Sequence, residues 1–176
     1  MQRFLNPYKV RNRIVLIAAI ALLMALLSVT GFSAEPAALL RNFARDQLVI
    51  ETAGGSRKFK VYVATTNQQR AQGLMFVKSM DAGEGMIFLY PETAPVAMWM
   101  KNTFIPIDIL FIGIDNRIVR VHANAIPHST DTIESGGTVT AVVELNSGSI
   151  KRFGISAGDL VVFPADQESA SHSHSD

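Results

Sequence analysis

The stretch Leu48-Val49-Ile50-Glu51-Thr52, Ala53-Gly54-Gly55-Ser56, Arg57-Lys58, Phe59-Lys60-Val61-Tyr62-Val63-Ala64 decides the fold class. Its two outer runs are rich in β-branched and aromatic residues and too short for helices. The glycines between them supply backbone positions at positive φ, so the runs read as a hairpin. Phe59, Val61 and Val63 fall on alternate positions, which turns one face of the second strand inward.

Downstream, Thr66-Asn67 offers an N-cap, and residues 68–74 offer one or two helical turns from which Arg70 projects, with Gly73 as the stop. Further strands are expected at 85–90, 94–101, 107–112, 117–123, 138–145 and 160–163, and Asp115-Asn116 reads as a turn between two of them. No internal repeat is visible. These elements predict a mainly β domain, either a compact antiparallel sandwich or a partly closed barrel, with one short helical insertion. The lack of long amphipathic helices excludes a doubly wound α/β enzyme.

The two ends differ from this middle. Arg3, Lys9, Arg11 and Arg13 precede the apolar run 14–29, with no acid among them, and small residues Ser28, Gly31, Ser33 and Ala34 follow. That is the pattern of an export signal, with cleavage expected near 31–34; retained, it would be an inner-membrane anchor. Basic residues before the run place the rest of the chain outside the inner membrane, so a periplasmic or membrane-anchored location is expected. Residues 35–46 read as a linker, 47–164 as the domain, and 165–176, with alternating Ser and His, as a disordered tail. The chain has no cysteine, which excludes a lipid-anchored lipoprotein and a disulfide-stapled core. The four basic residues named leave 12 of the 16 Lys+Arg against all 15 Asp+Glu in 35–176, a net charge of −3. Without a basic face, nucleic acid is not an expected partner.

A second set of residues carries a resemblance. Arg70-x-x-Gly73-Leu74-Met75, Gly85-Met86, Trp99-Met100-Lys101-Asn102-Thr103, Pro106-Ile107-Asp108, Glu144-Leu145, Gly148 and Gly158-Asp159 together resemble the DUF192 family over residues 47–163. The segment 86–90 departs slightly from the family's apolar run, a matter of packing. The resemblance implies a small β-rich domain, often exported in bacteria, and brings with it no assigned catalytic residues.

Three site readings follow from the residues. In the first, Trp99 supplies a flat apolar face while Arg70, Met100, Asn102, Thr103 and Asp108 supply a cleft with directional polar groups, suited to a small molecule, a glycan or a peptide. The plainer counterpart makes Trp99 a core residue and Asn102 a turn cap. In the second, Asp108 and Glu144 sit in apolar strands where a carboxylate is costly, and as a facing pair they would serve a glycoside hydrolase. Pairing with Arg70, Lys101 or backbone N–H groups is the structural counterpart. In the third, Met75, Met86, Met98 and Met100 form a Cu(I) site, against their role as adaptable core filler. His122 and His128 lack a ligand spacing on any regular element. Binding without catalysis, around residues 99–108, is the expectation taken forward, with no cofactor required.

Overall fold

The computed structural model describes residues 39–163. Both the export leader and the Ser/His tail of the sequence reading lie outside the described residues. Seven strands, β1 (Ala44–Thr52), β2 (Gly55–Ala64), β3 (Glu84–Met98), β4 (Ile107–Ile112), β5 (Ile118–Ala125), β6 (Ile133–Asn146) and β7 (Leu160–Val162), form one sheet in the order β5-β4-β6-β3-β2-β1-β7. Two short helices, α1 (Asn67–Gln72) and α2 (Ser149–Phe153), complete the elements. The expected hairpin is β1 with β2, from Ala44 opposite Val63 to Thr52 opposite Gly55, and Gly55 sits at φ 98°. Neighbouring strands are antiparallel except β2 and β3, which run parallel. Helix α1 lies in the connection between that pair, as a parallel crossover requires more chain than a tight turn.

Of the two expected architectures, the curled, partly closed barrel is the one adopted. Leu48, Phe59, Ile87, Leu110, Ile118, Ala141 and Val161, one from each strand, belong to a single buried cluster, so this face of the sheet is concave. The two edge strands approach at one end, where Arg117 bridges Leu160 and the Ile118 N–H donates to the Asp159 carbonyl at 2.9 Å. A second cluster, with Tyr62, Met86, Phe88, Ile107, Ile109, Phe111 and Val142, lies on the opposite face and is covered by Leu74, Val77 and Met100 from the loops. Because both faces of β4 are covered, all six of its residues are buried, which explains its unbroken apolar run.

Beyond strand ends that shift by up to five residues, three features differ from the sequence reading. Residues 85–90 and 94–101 are not two strands: β3 runs through both, with register shifts after Leu89 and Pro95. Bulges at these points accommodate Pro91 and Pro95, which a regular ladder would reject. The linker expected over 35–46 is corrected in its described part, since Leu40 and Phe43 are buried in the outer cluster and β1 begins at Ala44. Lastly, α2 was not expected at all, being a single turn between Gly148 and Gly154, both in left-handed conformation.

Candidate functional site

Helix α1 is set by its capping box. Thr66 Oγ1 accepts from the Gln69 N–H at 3.1 Å, the Gln69 side chain accepts in turn from the Thr66 N–H at 3.1 Å, and Gly73 ends the helix at φ 49°. This places Arg70 in the last turn, where Nη1 donates to the carbonyls of Thr65 at 2.6 Å and Leu89 at 2.8 Å, and Nη2 donates to Asn67 Oδ1. Its guanidinium also lies 5.3 Å from the centre of the Tyr90 ring. Arg70 is therefore a tether of α1 onto β3 as well as a wall of the cavity below.

The segment between β3 and β4 turns sharply and is pinned to two other loops. Phe76 N–H donates to the Asn102 carbonyl at 2.8 Å, Met100 N–H to the Ser129 carbonyl at 3.0 Å, and His128 N–H to the Thr103 carbonyl at 3.2 Å. Phe76, Asn102 and His128 all adopt positive φ, at 65°, 57° and 64°. For Phe and His this conformation costs on the order of 1–2 kcal/mol each, strain that the surrounding hydrogen bonds impose. Asn102 tolerates it more readily than they do. Phe76 meets Phe104 edge to face at 5.9 Å, Phe104 packs at a tilt against His128 at 5.1 Å, and Trp99 stands half exposed with the Lys101 Nζ 5.9 Å from its ring centre.

Between α1 and this segment lies a small cavity of about 30 Å³, lined by Arg70, Met75, Met98, Trp99, Thr103 and Glu144, with Lys101 also on its wall. Its notable group is Glu144. On β6 it faces Met86 of β3 and Ile109 of β4, both fully buried, and it is itself 4 % exposed. Among the described residues its carboxyl has neither a hydrogen-bond nor an ion-pair partner. Burial pushes its pKa from 4.5 up to about 8, so the group is mainly protonated at neutral pH. Tyr90, facing the same carboxyl, is pushed up to about 12, chiefly by burial, with Arg70 opposing and Glu144 adding to the rise. Larger clefts, of about 310 Å³ over Lys58 and Glu84 and about 500 Å³ over Val96 and Gly136, are open and hold no buried unpartnered group.

The six expected ligand-binding residues separate. Arg70, Trp99 and Thr103 line the cavity, while Asn102 supports its rim, with Nδ2 4.0 Å from Met75 Sδ. Met100 is fully buried in the outer cluster and is unavailable to a ligand. Asp108 is also removed from the site: its Oδ1 accepts from the Asn124 N–H at 2.9 Å and its Oδ2 from the Ile150 N–H at 2.8 Å. It thus caps the first turn of α2, whose own N-cap, Gly148, has no side chain to do so.

The carboxylate pair of the hydrolase reading is not assembled. Asp108 lies opposite Leu145 and Ile109 opposite Glu144, and successive side chains point to opposite faces, so Asp108 and Glu144 face away from each other across the sheet. Of the four methionines, Met75 and Met98 share the cavity wall, with Tyr90 Oη 3.8 Å from Met98 Sδ, whereas Met86 and Met100 are core. Among the described residues no three His, Asp or Glu gather as a metal site. Sequence reasoning flagged Glu144 for its cost but set it in the wrong pair. It missed Phe76 and His128, because nothing in a lone Phe or His announces a left-handed backbone.

Comparison with known proteins agrees with the fold. The model of DUF192, a family described as uncharacterized ACR, matches residues 49–163. The crystal structure of a candidate transcription regulator from Sinorhizobium meliloti 1021 is 43% identical, with a TM-score of 0.67, over 69% of this chain and 95% of that one. A protein of unknown function from Novosphingobium aromaticivorans DSM 12444 is 36% identical, with a TM-score of 0.67, over 68% of this chain and 85% of that one. No curated protein matches the chain.

Proposed function

The chain belongs to the DUF192 family, and from that membership and the cavity geometry we propose that it is an exported binding module that holds the tip of a small ligand at the Trp99 to Thr103 rim. One observation carries the reading: Glu144 is a buried carboxyl without a protein partner, on the wall of a cavity beside Trp99, Thr103 and Arg70. The carboxyl opens onto this cavity, and a cavity of this size admits one or two water-sized groups that would partner it. A whole sugar ring does not fit inside. The tip enters, and the ligand's body rests on the exposed indole.

Export rests on the leader, residues 1–34, and is checked by cell fractionation, which should recover the domain outside the inner membrane. The net charge of −3 over residues 35–176 favours a ligand other than DNA, whatever the S. meliloti protein regulates. Native mass spectrometry of the gently purified full chain tests the binding reading without a guess at the ligand. A discrete mass above that of the bare chain, retained by the wild type and lost in Trp99→Ala with the fold intact, is the expected result. Bare wild-type protein in every preparation overturns a retained ligand.

A further inference from the structure

Four features of the cavity specify the chemistry of its ligand. First, Glu144 has no partner, so the incoming group must supply one. Second, the other formal charges on the cavity wall are Arg70 and Lys101, both cationic, and no second acid lines it. Neither cation reaches Glu144 as an ion pair; the salt bridge among the described residues joins Arg45 to Glu84 elsewhere. Third, Arg70 is committed to Thr65, Leu89 and Asn67, whereas Lys101 has no carboxylate partner among the described residues. Fourth, a volume of about 30 Å³ suits a group with two oxygen atoms.

We propose, resting on the binding reading above, that the ligand is a carboxylate with an apolar body: its carboxylate enters the cavity and hydrogen-bonds the Glu144 carboxyl, Lys101 and Arg70 on the same wall balance its charge, and its apolar body covers Trp99. A carboxyl donating to a carboxylate makes a short, charge-assisted bond, and the low-polarity flanks of Met86 and Ile109 strengthen it. A cationic ligand would instead pass two like charges and would need Glu144 ionised. Tyr90 from β3 interacts electrostatically with Glu144, Arg70 from α1 and Lys101 from the rim line the same cavity, and Asp108 of β4 lies on the far face. The two classes therefore have opposite pH dependence, because Glu144 changes from donor to anion near pH 8.

Trp99 is the chain's single tryptophan and stands on the cavity wall, so its fluorescence reports on the site in the full chain. Phenylacetate and phenethylamine share an apolar body and differ in the sign of the head group. Phenylacetate is expected to perturb the Trp99 emission with an affinity that falls roughly tenfold from pH 6.5 to pH 9.0 as the Glu144 proton is lost. Glu144→Gln, which keeps a donor at every pH, should bind phenylacetate without that pH dependence, and Lys101→Ala should weaken it. Binding of phenethylamine in place of phenylacetate, tightening with pH, overturns the carboxylate class and leaves the binding reading standing. Silence toward both compounds also overturns the class; the retained mass lost in Trp99→Ala then decides separately whether the site binds anything.

Discussion

Two carboxyl side chains on adjacent strands, Asp108 and Glu144, are both buried and have opposite fates. Asp108 accepts two backbone N–H bonds and ties β4 to β5 and α2, while Glu144 is left with a cavity. Asp108→Asn keeps one acceptor and places an amide against the other N–H. It should lower stability by about 1–3 kcal/mol in urea titration, with no effect on ligand binding by the folded protein. Asn102 separates backbone from side-chain roles in the same way: Asn102→Ala should cost about 1 kcal/mol for the positive φ, and Asn102→Gly should recover most of that loss. Equal losses in the two variants would show that the side chain, not the backbone conformation, is what matters. Trp99→Ala, at a half-exposed position, should change stability by no more than about 1 kcal/mol, so any loss of binding in it belongs to the site.

At the level of elements, β3 and β6 form the longest pairing of the sheet and bring Glu144 to the cavity. Their close approach depends on Gly85, where a Cβ would lie 2.6 Å from the Glu144 carbonyl oxygen and 2.7 Å from Leu145 Cδ2. Backbone cannot rotate away as a side-chain tip can. Gly85→Ala should therefore cost about 1–3 kcal/mol in thermal or urea unfolding and shift β6, with a loss of whatever the cavity binds. Gly73→Ala meets a milder obstacle, the Phe88 ring at 3.3 Å, but must also adopt φ 49°, so it too should destabilise and loosen α1 from the rim. The same β3 shows why strand boundaries were legible only in part. The sequence reading breaks the strand between 90 and 94, where Pro91 falls, and pairing with β6 across two bulges carries β3 through it.

For the whole molecule, Glu144 imposes a pH dependence on folding. Its pKa is near 8 in the folded protein and near 4.5 when exposed, so between these values the native state keeps a proton that the unfolded chain releases. Glu144 therefore lowers stability progressively as pH rises from about 4.5 to 8, and the loss is complete above 8. Glu144→Gln should flatten that slope and raise stability at pH 9 by an amount on the order of 4 kcal/mol, measured by urea unfolding across the pH range. A slope unchanged in Glu144→Gln would assign the effect to other groups. The fold supplies this burial because the sheet is covered on both faces, by the concave cluster on one side and by Leu74, Val77 and Met100 on the other.

The alternation around Gly54-Gly55, the short spacing of apolar runs and the Thr66 cap are local signals, so the hairpin, the β class and α1 could be read from the amino acids alone. The mixed polarity of residues 98–108 likewise pointed to the segment that walls the small cavity, because buried polar groups are costly wherever they fall. Which polar group would be satisfied was decided by tertiary structure. Strand register alone sends Asp108 to one face and Glu144 to the other, and a shift of one residue would exchange them. The left-handed turns at Phe76 and His128, the burial of Met100 and the helix that Asp108 caps depend on partners distant in sequence, up to 42 residues away for Asp108 and Ile150. Local composition contains no record of such partners.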